Sequence, residues 1–185
     1  MPNLLILMLQ LLCTLGTNPD TYNAYSDQSP SPDAMELSRP VNASLATVCR
    51  PNCPTVQLFR NPSAANSMVV TSDGKSKIVY NPDFFTRVYE AHGDAAIQAI
   101  LAHELGHVLD AATQPVWIKR EWSSELRADA WTGCALARLN LTPRATKVAL
   151  TALSKYAPAA APDWLMRLQV LRAGYGQCGG DASKL

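Results

Sequence analysis

The stretch Ile97-Gln98-Ala99-Ile100-Leu101-Ala102-His103-Glu104-Leu105-Gly106-His107-Val108 decides how this chain is read. In the run from Gly93-Asp94 to about Ala112, residues Ile97, Leu101, Leu105, Val108 and Ala112 recur at steps of three and four, the period of a helix with one apolar face turned to a core. The other face carries His103-Glu104-Leu105-Gly106-His107, an H-E-x-x-H pentapeptide. Histidines at i and i+4 stack with Cβ atoms about 6 Å apart, so two imidazoles close on one zinc ion at roughly 2.0–2.1 Å each. Glu104 is turned about 100° from His103, which sets its carboxylate beside the metal as a general base rather than on it as a ligand. The chain has 3 His. The third, His92, lies about 16 Å from His103 along a helix axis, too far to share the ion, and reads as an ordinary loop or helix-end residue.

Two histidines leave a catalytic zinc one protein ligand short. No His follows His107, which excludes a third histidine a few residues on and points to a carboxylate from a later helix. Ser124-Glu125-Leu126-Arg127-Ala128-Asp129 offers two acids at i and i+4 on one face. Glu125 can bind the metal, and Asp129 can accept the free N–H of a ligating His and fix its tautomer. Glu121 is the runner-up, ahead of the helical pattern and without an acid four residues on. Gly106 costs about 1 kcal/mol against Ala inside a helix; it either keeps the backbone slim where another element crosses or is tolerated drift.

Outward from this centre, 55–59 reads as a strand, and 68–71 and 77–80 flank an Asp73-Gly74 hairpin signal, giving a small antiparallel sheet. Asn81-Pro82-Asp83 opens a short helix through Tyr89. Further helices are expected over 124–139, from Thr142-Pro143 onward, and from about Pro162 to Ala173, stopped by Gly174. The fold class is α+β: a mostly helical domain with a small antiparallel sheet and an H-E-x-x-H helix.

The ends read differently. The apolar run Leu4 to Leu12 is too short to span a bilayer, for which roughly 20 residues are needed, but fits a secretory signal over 1–16. Residues 17–42 are rich in Pro, Ser, Asp and Asn without an apolar period and read as a disordered tether, which places the working domain at 43–185. Of 5 Cys, loss of the signal removes Cys13 and leaves four, which allow three connectivities or a structural zinc site; two disulfides in an oxidising compartment, Cys49–Cys53 and Cys134–Cys178, are the expected arrangement. The expected location is the periplasm or the exterior, with no membrane span in the mature chain. With 16 Lys+Arg against 15 Asp+Glu and a net charge of +1, nucleic acid is excluded as a partner.

Both motifs together make the chain resemble the gluzincin peptidases, in particular small soluble exported relatives of the HtpX-like family, over about residues 50 to 175. The H-E-L-G-H helix at 103–107 and Ser124-Glu125-Leu126-Arg127-Ala128-Asp129-Ala130-Trp131-Thr132-Gly133 look like that family's zinc helix and its E-x-x-x-D helix. The resemblance implies a zincin-like fold, His103, His107 and Glu125 as Zn2+ ligands, Glu104 as base, and Asp129 behind His103. Pro162 and Arg167 match a further family pattern, whereas Ala161 stands where members often carry His. The expected activity is cleavage of a protein or peptide substrate at an amide bond, with Tyr156, Arg167 and Tyr175 as unranked candidates for an oxyanion donor. The rival reading is a non-catalytic, zinc-stabilised binding or chaperone-like module of the cell envelope.

Overall fold

The computed structural model describes residues 10–14, 22–50, 53–113 and 115–185. At its centre runs α3 (Asp94–Ala112), in which every residue from Ala95 to Asp110 except Gln98 is buried. The helix therefore has no solvent face. Helices α1 (Pro32–Ala46), α2 (Pro82–His92), α4 (Ser124–Arg138) and α5 (Pro143–Lys155), together with the sheet, surround it. Period analysis finds the apolar stripe of such a helix, but only packing reveals that its polar stripe is covered too.

The sheet is mixed rather than antiparallel. Strands β3 (Ser67–Ser72) and β4 (Lys75–Tyr80) form the hairpin, turning through Asp73 and Gly74, both at positive φ as such a turn requires. Strand β2 (Gln57–Arg60) lies on the far side of β4 and pairs with it in parallel, Gln57 with Lys77 through Arg60 with Tyr80. The chain reverses between β2 and β3, yet β4 inserts between them, a choice that alternation in 55–59 does not encode. On the other edge β1 (Gln10–Thr14) pairs antiparallel with β3, completing the order β1-β3-β4-β2. The expected signal at 1–16 otherwise lies outside the described residues.

The tether expected over 17–42 is structured where it is described. Gln28 bridges to Arg60, and Asp27 pairs with Lys77 and accepts from Tyr22 and Asn61. Ser31 then caps α1 through Ala34 N, with Pro32 in its first turn, and Ala34, Val41 and Leu45 bury on the core. These residues do recur at helical steps; the Pro and Ser count hid them, and Pro40 is accommodated inside the helix. The domain thus begins well before residue 43.

The C-terminal half interlocks through glycines. Helix α6 (Trp164–Gln177) starts at the cap Asp163 and continues past Gly174, the expected stop. A Cβ on Gly174 would meet Ala130 O at 1.9 Å, and one on Gly133 would meet Leu171 O at 2.0 Å, so α4 and α6 cross backbone to backbone. Gly106 has the same role: a Cβ there would lie 2.7 Å from Ala128 O, where α3 crosses α4. The two disulfides are Cys49–Cys53 and Cys134–Cys178. No described helix is long and apolar enough to cross a membrane.

Candidate metal centre

The crossing at Gly106 brings the first turn of α4 over the middle of α3. His103 and His107 project from one face of α3 with rings 4.9 Å apart at 88°, and Glu125 descends from the turn of α4 that Ser123 caps through Leu126 N. The two Nε2 atoms are 3.2 Å apart, His103 Nε2 lies 3.3 Å from Glu125 Oε2, and His107 Nε2 lies 3.6 Å from Glu125 Oε1. One ligand atom from each residue falls within 4.8 Å of the others, the one such group of three among the described residues. His103 is 0% exposed, His107 4% and the Glu125 side chain 16%.

These distances test whether a metal fits. Ligand atoms at roughly 2.0–2.1 Å from a tetrahedral ion are about 3.3–3.4 Å from one another, close to the His103–His107 edge and to the distance from each ring to its nearer Glu125 oxygen, Oε2 for His103 and Oε1 for His107. The donor set agrees. His103 Nδ1 faces Asp129 Oδ1 at 3.1 Å, so an N–H donated there leaves the Nε2 lone pair turned toward His107 Nε2 and the Glu125 carboxylate. Two ring nitrogens and a carboxylate at this spacing repel unless a cation is shared among them. Burial pulls the His103 pKa down, but the Asp129 and Glu125 carboxylates outweigh it and raise it to about 10. Burial and the charge on His103 then hold His107 down, to about 3.

Asp129 is itself held. Arg167, 1% exposed, donates Nε to Asp129 Oδ2 at 2.7 Å and Nη2 to Oδ1 at 2.9 Å, and its Nη1 donates to Leu153 O at 3.2 Å. The row Arg167, Asp129, His103 spans α6, α4 and α3, and fixes the imidazole from behind. Arg167 is thereby accounted for and does not reach the metal group as an oxyanion donor. Tyr156 packs edge-on against Phe84 and His92, and the Tyr175 ring lies against Gly180, so neither of these candidates stands at the centre.

Glu104 is 0% exposed, and neither carboxylate oxygen has a hydrogen-bond partner. Burial is the main cause of a pKa raised to about 8; the charge on His103 pulls it down, that on Glu125 pushes it up, and the nearby Ser67 hydroxyl pulls it down. Ser67, at the start of β3, is a neighbour that the sequence gives no sign of, since a Ser 37 residues away in a hairpin carries no motif. A second pair steadies the outer end: Arg127 Nε donates to Asp110 Oδ2 at 2.8 Å and Nη1 to Trp122 O, tying α4 to α3 beside the ligands. Glu121, the runner-up ligand, is exposed ahead of α4 and is absent from the metal group.

Comparison with family models, with curated proteins and with solved structures finds no match to this chain. The site is therefore argued from its own chemistry.

Proposed function

We propose that this chain is a zinc-dependent metalloendopeptidase with a zincin-like fold, of the gluzincin type and similar to soluble exported HtpX-like peptidases. It is exported on the signal at 1–16, whose removal takes β1 with it and leaves β3, β4 and β2 as the sheet, and it works in the periplasm or outside the cell, where both disulfides persist. The observation that carries the reading is the pair of features at one place: two ring nitrogens and a carboxylate grouped closely enough to share one ion, and beside them a buried carboxylate with no hydrogen-bond partner among the described residues. A site that only bound metal would have no use for Glu104.

Zinc, when bound, supplies a Lewis acid that polarises the scissile carbonyl and brings the pKa of water toward 7. Glu104 takes a proton from the attacking water as its oxygen bonds to the carbonyl carbon. It then gives that proton to the amide nitrogen as the C–N bond breaks, so the carboxylate is restored. Burial raises the Glu104 pKa, and the positive charge of a bound zinc would draw it back toward the carboxylate form that accepts the proton. Asp129 keeps His103 in the tautomer that presents Nε2, and Arg167 keeps Asp129 in place.

The near-complete burial of His103 and His107 favours one second reading, the zinc-stabilised module that does not turn over substrate. Zinc per mole and cleavage of a quenched fluorescent peptide library, measured on the parent, Glu104→Gln and Glu125→Ala, separate the two. The peptidase reading expects zinc in the parent and Glu104→Gln, little in Glu125→Ala, and cleavage in the parent alone. Zinc in the parent with no cleavage of any library member favours the module; no zinc in the folded parent removes both.

A further inference from the structure

At the N-terminal end of α3, about 9 Å along the helix from His103, Ile97 forms part of the floor of a groove of about 660 Å³. The floor is apolar and aromatic, with Tyr80 and Phe85 stacked at a centroid distance of 4.3 Å and Tyr89 half exposed beside them. Four exposed carboxylates line it: Asp33 and Glu36 from α1, Glu90 from α2 and Asp94 from α3. None of the four forms an ion pair among the described residues.

Local helix chemistry explains only half of them. Asp33 and Asp94 stand in first turns, where a negative charge complements the helix dipole. Glu36 is beyond the first turn of α1, and Glu90 is in the last turn of α2, the end at which a carboxylate is disfavoured. The acids belong to three elements and do not converge as metal ligands do; the group at His103 is the one that does so among the described residues. At the opposite margin Arg60 contributes a half-buried side chain.

We propose that this groove is a binding site for a basic, extended segment of a partner polypeptide. Lys or Arg side chains set their heads among the four carboxylates and lay their methylene stems on Phe85 and Ile97, the division between charged head and apolar stem that such residues adopt at surfaces. The exposed ring of Tyr89 adds a cation–π face. The volume lies within the roughly 300–1,000 Å³ of ligand pockets, and the apolar floor asks for more than a bare cation. The site is distinct from the metal centre and does not depend on that centre being catalytic.

The test is fluorescence anisotropy on the metal-free full chain carrying Glu104→Gln, so that cleavage cannot intervene. The probe is a fluorescein-labelled hexapeptide alternating lysine and leucine, compared with its glutamate and leucine counterpart. The lysine peptide binds, more weakly as salt rises, and the glutamate peptide does not. Adding Glu36→Gln and Glu90→Gln weakens the lysine peptide about tenfold, as loss of two exposed charge pairs predicts. Both substitutions are on the surface, and an unchanged circular dichroism melt confirms that the fold is kept. Equal binding of the two peptides, or equal binding to the parent and the double variant, overturns the proposal. Displacement by spermine at the concentration at which it saturates a plain polyanion also overturns it, since the floor then contributes nothing.

Discussion

Replacing Arg167 by Met tests whether the row behind His103 is a pillar of the fold, of the metal centre, or of both. Arg167 donates to Asp129 at 2.7 and 2.9 Å and to Leu153 O at 3.2 Å, and is 1% exposed. Met fills most of the volume and carries no charge. It leaves the Asp129 carboxylate buried with His103 as its remaining side-chain partner, and removes the donor from Leu153 O. Breaking one side of a buried pair costs about 3–5 kcal/mol, a large share of a total stability of about 5–15 kcal/mol. Urea unfolding of the metal-free chain followed by circular dichroism should show a lower midpoint at unchanged slope. The companion Asp129→Leu with Arg167→Met removes both charges and recovers most of that loss, because paired apolar residues of similar size often match a buried ion pair. Zinc affinity does not recover: His103 has lost the acceptor that fixes its tautomer, and competition against a chromophoric chelator should read about 10–100-fold weaker binding. Arg167→Met within about 1 kcal/mol of the parent, or a double variant that binds zinc as tightly as the parent, refutes the reasoning.

The other predictions concern packing and cross-links. Gly174→Ala puts a Cβ 1.9 Å from Ala130 O, so α6 must move off α4, and thermal unfolding should show a loss of about 1–3 kcal/mol or more. Gly106→Ala meets Ala128 O at 2.7 Å and pushes α4 with it; zinc affinity should fall together with stability, whereas a loss of stability alone speaks against Gly106 setting the position of Glu125. Replacing Cys134 and Cys178 by Ser opens a link across 44 residues and costs about 4 kcal/mol on the chain-entropy model, against about 2 kcal/mol for Cys49 and Cys53 across 4. Val41→Ala, 1% exposed in α1, should cost about 2 kcal/mol in urea unfolding, and no measurable effect would return residues 17–42 to the status of a tether.

Much of the centre is legible without coordinates. The i, i+4 spacing of His103 and His107, and of Glu125 and Asp129, sets which residues share a helix face, since 3.6 residues per turn is a local property that any helix obeys. The same holds for the hairpin at Asp73-Gly74 and for the caps Asn81 and Thr142, each of which satisfies backbone donors a few residues away. Counting cysteines leaves three pairings open, and the structure has the one expected from joining the close Cys49 and Cys53.

What the sequence does not contain is which elements meet. That α4 lies on α3 at Gly106, so that Glu125 arrives 3.3 Å from His103, depends on a backbone crossing between residues about twenty apart in the chain. The partner of Asp129 comes from α6, 38 residues on, and reassigns Arg167 from a possible oxyanion donor to the residue that holds Asp129. Gly174 reads locally as a stop, because glycine ends helices; in the fold it is the one residue small enough to let α6 pass Ala130. The parallel placement of β2 and the burial of both faces of α3 have the same origin. Spacing along the chain fixes the chemistry that each helix face can offer, and only long-range packing decides which faces come together.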